Sequence, residues 1–377
     1  MDLMKKTTLY SFAFLTVAMC AIVYFSANKT ITISDVAQDE VIAGEDAGAG
    51  DAKGAENIEN ASNMATAVNT SNELTFSDED SDKEYLIIPV PVKTEADDIT
   101  IENHYMDREL YILVNGAEEE FYKNGENVIS GNRTNITDGT FDIVKGDVRL
   151  RLSMNGVYEY KTVLENDCLY ITFYNPKELY DKVIVIDPAC GGSDTGVINT
   201  EVAASSSINA SKSELAEKDI TLAVAKALKE KLDAEDNLKV YYTRMDDTDP
   251  SEDMRTALAN DSKSDAYIRI EVSGDSDTSL YGITTKYNDE YFIPGFGNVE
   301  LSDLMESSVT TAVKGRALGL KKATNEDATL LKMTVPSCSV MVGCINNKQE
   351  AILLSREDYI DKIAQGLYDG IIKIGAE

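Results

Sequence analysis

VIVIDPACGGSDTG occupies residues 183–196, and its reading decides the fold. Val183 to Ile186 form an unbroken β-branched run, the pattern of a strand buried on both faces. The run stops at Asp187-Pro188, and Gly191, Gly192 and Gly196 then permit a tight turn. Downstream the pattern switches to helical spacing: Ile220, Ala223, Val224, Ala227, Leu228 and Leu232 predict a helix over 217–233. LKVYYT (238–243) reads as a strand, 251–261 as a helix, and AYIRIEV (266–272) and YGITTKY (281–287) as strands. A helix over 301–314 carries Leu301, Leu304, Met305, Val309 and Val313 on one face. Two short strands near 329–332 and 338–342 follow, and Ile360, Ile363, Ala364, Leu367 and Ile371 mark a closing helix. The alternation predicts an α/β domain over 181–377, with a mostly parallel sheet flanked by helices.

Upstream, residues 85–178 contain short runs rich in Val, Ile and Tyr, separated by Asn-Gly turns at Asn115-Gly116, Asn124-Gly125 and Asn155-Gly156. They predict a small all-β domain of sandwich type. Residues 29–84 are acidic and rich in Ala, Gly, Asn and Ser, without hydrophobic period, and read as a disordered linker. Within 1–28, the apolar run 9–25 follows Lys5 and Lys6 and reads as an uncleaved signal anchor, a single-pass membrane segment. The bulk of the chain would then be extracytoplasmic; a cleaved signal and secretion form the rival reading.

Composition narrows the function. The formal net charge of -31 argues against nucleic acid as a partner. One histidine, His104, is present, so no two-imidazole zinc site can form within the chain. His104 falls in the β-rich region and reads as a structural residue. Of the five cysteines, Cys168, Cys190, Cys338 and Cys344 are preferred as buried free thiols, with a disulfide between two of them left open.

Several segments in order resemble the zinc-dependent N-acetylmuramoyl-L-alanine amidases. Asp187-Pro188-Ala189-Cys190-Gly191-Gly192-Ser193-Asp194-Thr195-Gly196 is similar to the family's Asp-Pro-Gly-His-Gly-Gly-x-Asp-x-Gly turn. Glu217-Lys218-Asp219 matches its Glu-Lys-Asp segment, and Thr243-Arg244-Met245-Asp246-Asp247 its Thr-Arg-x-x-Asp strand end. Asp265-Ala266-Tyr267-Ile268-Arg269-Ile270 resembles its Asp-Leu-Phe-Ile-Ser-Ile strand, and Asn347 to Glu350 opens a stretch like its last helices. The resemblance implies an amidase fold and a site at the carboxyl ends of the strands.

The departures fall on the chemistry. At the family's three zinc-ligand positions stand Cys190, Glu217 and Glu271, of which Glu217 alone is retained. Met341 stands at the position of the catalytic Glu and can neither accept nor donate a proton, a loss worth about 10²–10⁴-fold in rate. Each residue also has a plain structural reading: Glu217 as a first-turn acid at a helix N-terminus, Cys190 as a buried filler, Glu271 as a solvated or Arg-paired strand end. The favoured expectation is a catalytically inactive envelope protein that binds peptidoglycan or an envelope partner, with no cofactor. The alternatives are an active amidase with a non-standard zinc site, and a regulatory or structural partner of an active amidase.

Overall fold

The computed structural model describes residues 72–375 apart from 124 and 203–213, together with a two-residue strand, Thr30–Ile31. The apolar run 9–25 and most of the linker lie outside the described residues. No helix of the described residues is long and apolar enough to cross a membrane.

The β-rich region contains β1 (Leu86–Pro89), β2 (Ile99–His104), β3 (Glu109–Val114), β4 (Ser130–Gly131), β5 (Ile136–Val144), β6 (Asp147–Met154), β7 (Glu159–Glu165) and β8 (Cys168–Tyr174). Strands β2, β3, β6 and β5 form one antiparallel sheet in that order; Thr30–Ile31, β7, β8, β1 and β4 form the other. Burial alternates residue by residue along β3 and β6, as one-sided sheets require. Ile101, Ile112, Leu150 and Leu152 of the first sheet meet Leu86, Ile88, Leu169 and Ile171 of the second in one core.

The α/β region is built on β9 (Lys182–Pro188), β10 (Leu238–Tyr242), β11 (Ala266–Ser273), β12 (Ile283–Tyr287), β13 (Ala317–Lys322) and β14 (Ser337–Cys344). The sheet order is β10-β9-β11-β14-β12-β13. The first four are parallel; β12 runs antiparallel to β14, and β13 parallel to β12, so the sheet is mixed at one side. The helices are α1 (Glu217–Leu232), α2 (Glu252–Asp261), α3 (Asn298–Val313), α4 (Ala328–Leu331), α5 (Lys348–Leu354) and α6 (Glu357–Lys373). One sheet face packs Ile184, Ile186, Ile268, Ile270 and Val340 against α1, α3 and α6. The other packs Val183, Val185, Tyr241 and Tyr267 against Leu258 of α2 and Leu330 of α4. Each fully buried aliphatic side chain contributes about 1.5–3 kcal/mol, so the charges that the strands do carry, such as Arg269 and Lys239, are paired with carboxylates.

The two regions touch. Val157 joins the second of these clusters, the Tyr105 hydroxyl donates to the Tyr242 carbonyl at 2.9 Å, and the Tyr241 hydroxyl donates to Glu159 at 2.5 Å.

Three expectations need correction. Residues 329–332 are not a strand: Ala328–Leu331 is a helical turn whose short apolar run buries Leu330 against the sheet. The strand Ala317–Lys322 was not expected, because its Ala, Leu and Lys favour helix and it sits at the sheet edge. The linker does not extend to residue 84 unstructured. Leu74 is buried in the β core, its amide donates to the Gly139 carbonyl at 2.9 Å, and Phe76 packs beside it. Their alternating apolar pair is hidden in an acidic stretch.

At the end of β9, Asp187 is fully buried and takes hydrogen bonds from Thr243 at 2.5 Å, from Arg269 at 2.6 Å, and from Arg255 and Tyr267. Burial alone would raise its carboxyl; Arg269 and Arg255, with the Thr243 and Tyr267 hydroxyls, overcome this and hold it well below the usual range. We predict that Asp187→Asn, which leaves two guanidinium groups partly uncompensated, costs about 3–5 kcal/mol. Urea unfolding followed by circular dichroism measures it; a loss under roughly 1 kcal/mol, the range of an exposed pair, would contradict the assignment.

Candidate functional site

Beyond Pro188 the chain turns sharply. Cys190 adopts a φ of 63°, in the left-handed region, and Gly191 follows at 138°. A Cβ on Gly191 would collide with the Thr248 carbonyl, so only glycine lets the turn lie against that loop. The turn closes on itself: the Gly191 amide donates to Asp194 O at 2.9 Å, and the Asp194 amide donates back at 2.8 Å.

Residues from three other segments hold its backbone. Arg244 donates to the carbonyls of Pro188 at 3.0 Å and Ala189 at 2.9 Å. Arg255 donates to Cys190 O at 3.2 Å. Lys218 donates to Gly192 O at 2.6 Å and pairs with Asp247 at 2.9 Å. Lys218 and Arg244 carry the family resemblance in the sequence, and in the fold they, with Arg255, grip the turn.

Cys190, Glu217, Glu271 and Met341 are the residues that the sequence resemblance sets against the family's reactive positions. Glu217 opens α1 and is buried. Its two oxygens accept separate backbone amides, Val272 at 2.8 Å and Val197 at 3.1 Å. Burial raises its carboxyl, and the nearby Glu271 charge adds to the rise, against the two amide bonds and Arg269. Cys190 lies beside it: a Cβ added to Gly196 would collide with both Glu217 Oε2 and Cys190 Sγ. Burial pushes the Cys190 thiol up, and Glu217 and Asp194 push it further. Glu271 accepts from Arg269 Nε at 2.8 Å. Met341 is the register partner of Glu271 on β14, and of Thr284 on the other side.

The reading of the sequence passed over Arg269. Its signal was present: an arginine inside the otherwise apolar AYIRIEV, where the resembling family strand has serine. It joins Asp187 to Glu271 and is only 16% exposed. Beside this pair opens a cleft lined by Glu252, Glu326, Asp327 and Thr329.

These donors do not fit a zinc ion. Glu217 is committed to two amides, Glu271 to a guanidinium, and Cys190 is held as the neutral thiol, whereas zinc takes a thiolate. Among the described residues no group of three or more His, Cys, Asp or Glu side chains is arranged to hold a metal ion. Cys168, Cys190, Cys338 and Cys344 are all free; Cys168, expected buried, is half-buried near a strand end.

The thiol reading makes a prediction. At pH 7.5 iodoacetamide should modify Cys168 well before Cys190, as peptide mass spectrometry of a time course would reveal. Modification of Cys190 first would mean a reactive thiolate and would reverse the assignment.

Comparison with known proteins agrees with this geometry. The family model for N-acetylmuramoyl-L-alanine amidase matches residues 184–373. The germination-specific N-acetylmuramoyl-L-alanine amidase of Bacillus subtilis (strain 168) is 29% identical over 217 residues, 53% of this chain and 82% of that protein. The probable cell wall amidase LytH of Staphylococcus aureus is 30% identical over 202 residues, 52% of this chain and 60% of its own length. Among solved structures, the N-acetylmuramoyl-L-alanine amidase from Clostridium difficile 630 is 26% identical with a TM-score of 0.46, over 52% of this chain and 98% of that one. With its first turn, its turn-gripping side chains and its sheet all accounted for, the chain belongs to the N-acetylmuramoyl-L-alanine amidase family.

Proposed function

We propose that this protein binds peptidoglycan, or docks an envelope partner, through the amidase-like region without cleaving the bond between N-acetylmuramic acid and L-alanine. The observation that carries the reading is the pairing of Met341 with an Arg269-bound Glu271. Hydrolysis needs an activated water and a group to shuttle its proton. At the position of the catalytic Glu, a thioether does neither. The retained turn, gripped by Lys218, Arg244 and Arg255, favours a surviving binding function, since that scaffold serves recognition as well as catalysis.

In this reading the β-rich region, which includes Leu74 and Phe76, forms a β-sandwich-like module ahead of the amidase-like region. The apolar run 9–25 anchors the chain in the cell membrane, with the rest outside. A cell-surface tether suits a binder of the wall.

The test uses the full-length chain in mild detergent with isolated sacculi. Co-sedimentation is expected, with no new L-alanine amino termini released over hours, with or without added zinc. Release at a rate comparable to that of an active family member would overturn the non-hydrolytic reading. Absence of co-sedimentation would direct the search to protein partners in envelope extracts.

A further inference from the structure

Strand β11 carries a cation into the middle of the family's reactive positions. Arg269 Nη1 donates to Asp187 at 2.6 Å, and its Nε donates to Glu271 Oε1 at 2.8 Å. Asp187 is fully buried, and Glu217 close by is 7% exposed. Carboxylates gathered this far from water require a cation nearby. In the family a divalent metal stands among such groups; here a side chain of the protein supplies the charge.

We propose that Arg269 is a built-in cation that takes the electrostatic place of the family's metal and keeps divalent ions out, independently of the lost histidines. The proposal rests on Cys190, Glu217 and Glu271 occupying the family's zinc-ligand positions. Two physical effects produce the exclusion. A tethered guanidinium needs no diffusing ion, and a second cation a few ångströms away meets like-charge repulsion in a medium of low dielectric. The carboxylate of Glu271 is also engaged by Arg269. Restoring imidazoles alone therefore leaves the repulsion in place.

The claim separates from the loss of histidine by experiment. In the full-length chain, C190H/E271H with Arg269 intact is compared with C190H/E271H/R269S, using zinc alone in equilibrium dialysis and elemental analysis. The double variant should retain no stoichiometric zinc. The triple variant should hold one zinc per chain, at least about 10–100-fold tighter, the range by which groups around a metal's ligands tune affinity. C190H/E271H/R269K keeps the charge and should stay weak, which distinguishes charge from shape. R269Q in the same background retains an amide donor for Asp187 and repeats the test if the serine variant unfolds. Equal zinc affinity in the double and triple variants overturns the proposal. So does failure of a folded triple variant, verified by circular dichroism, since the barrier would then lie elsewhere. These readouts are independent of sacculus binding by the unaltered chain, so either idea can fail alone.

Discussion

The carboxylate of Asp187 is the point on which the α/β region turns. It ends β9 in full burial and is shared by β10 through Thr243, by β11 through Tyr267 and Arg269, and by α2 through Arg255. An isolated carboxylate there would cost several kcal/mol in desolvation; two guanidinium groups and two hydroxyls offset that cost only in one geometry. Side chains from three segments are thereby fixed to one strand end. The turn that follows has its origin and direction set before any residue of the site is considered.

That ordering explains how the framework and the chemistry came apart. The turn's backbone is held by Lys218, Arg244 and Arg255, all bonding to main-chain oxygens. Main-chain hydrogen bonds are indifferent to the side chain carried at Cys190. Glu217 likewise has a structural task, tying the amides of Val197 and Val272 together across the site. It therefore survives whether or not an ion is present. Glu271 bonds to a side chain, that of Arg269, and the thioether of Met341 anchors no backbone, so the turn depends on neither.

The sequence disclosed elements in proportion to how much apolar surface each buries. The four parallel strands are mostly apolar, β-branched or aromatic runs flanked by turn residues, so their existence and order are legible. The edge strand Ala317–Lys322 buries little, and its helix-favouring residues conceal it. The helical turn Ala328–Leu331 reads as a strand because a short apolar run does not distinguish strand from helix. Leu74 and Phe76 were lost among acids. At the site, the altered positions were legible by alignment to a motif, whereas the partner of Glu271 was not. Arg269 acts through a neighbour two residues along its own strand and another across the sheet, a relation that pairing register creates and linear sequence does not display.

The same register gives a reason for methionine at position 341. In β14, Met341 lies directly opposite Glu271. A carboxylate there would stand near the Glu271 carboxylate on the adjacent parallel strand, and two like charges close together in a medium of low dielectric repel. With an ion between them two such groups can coexist, since the ion compensates both. Arg269 is already engaged by Asp187 and Glu271, and its guanidinium is anchored on one side of that pair. Once the mobile divalent charge is replaced by this fixed single charge, a carboxylate at 341 carries a penalty and an uncharged thioether does not. On the proposal that Arg269 takes the place of the metal, arginine at 269 and methionine at 341 are two parts of one electrostatic solution.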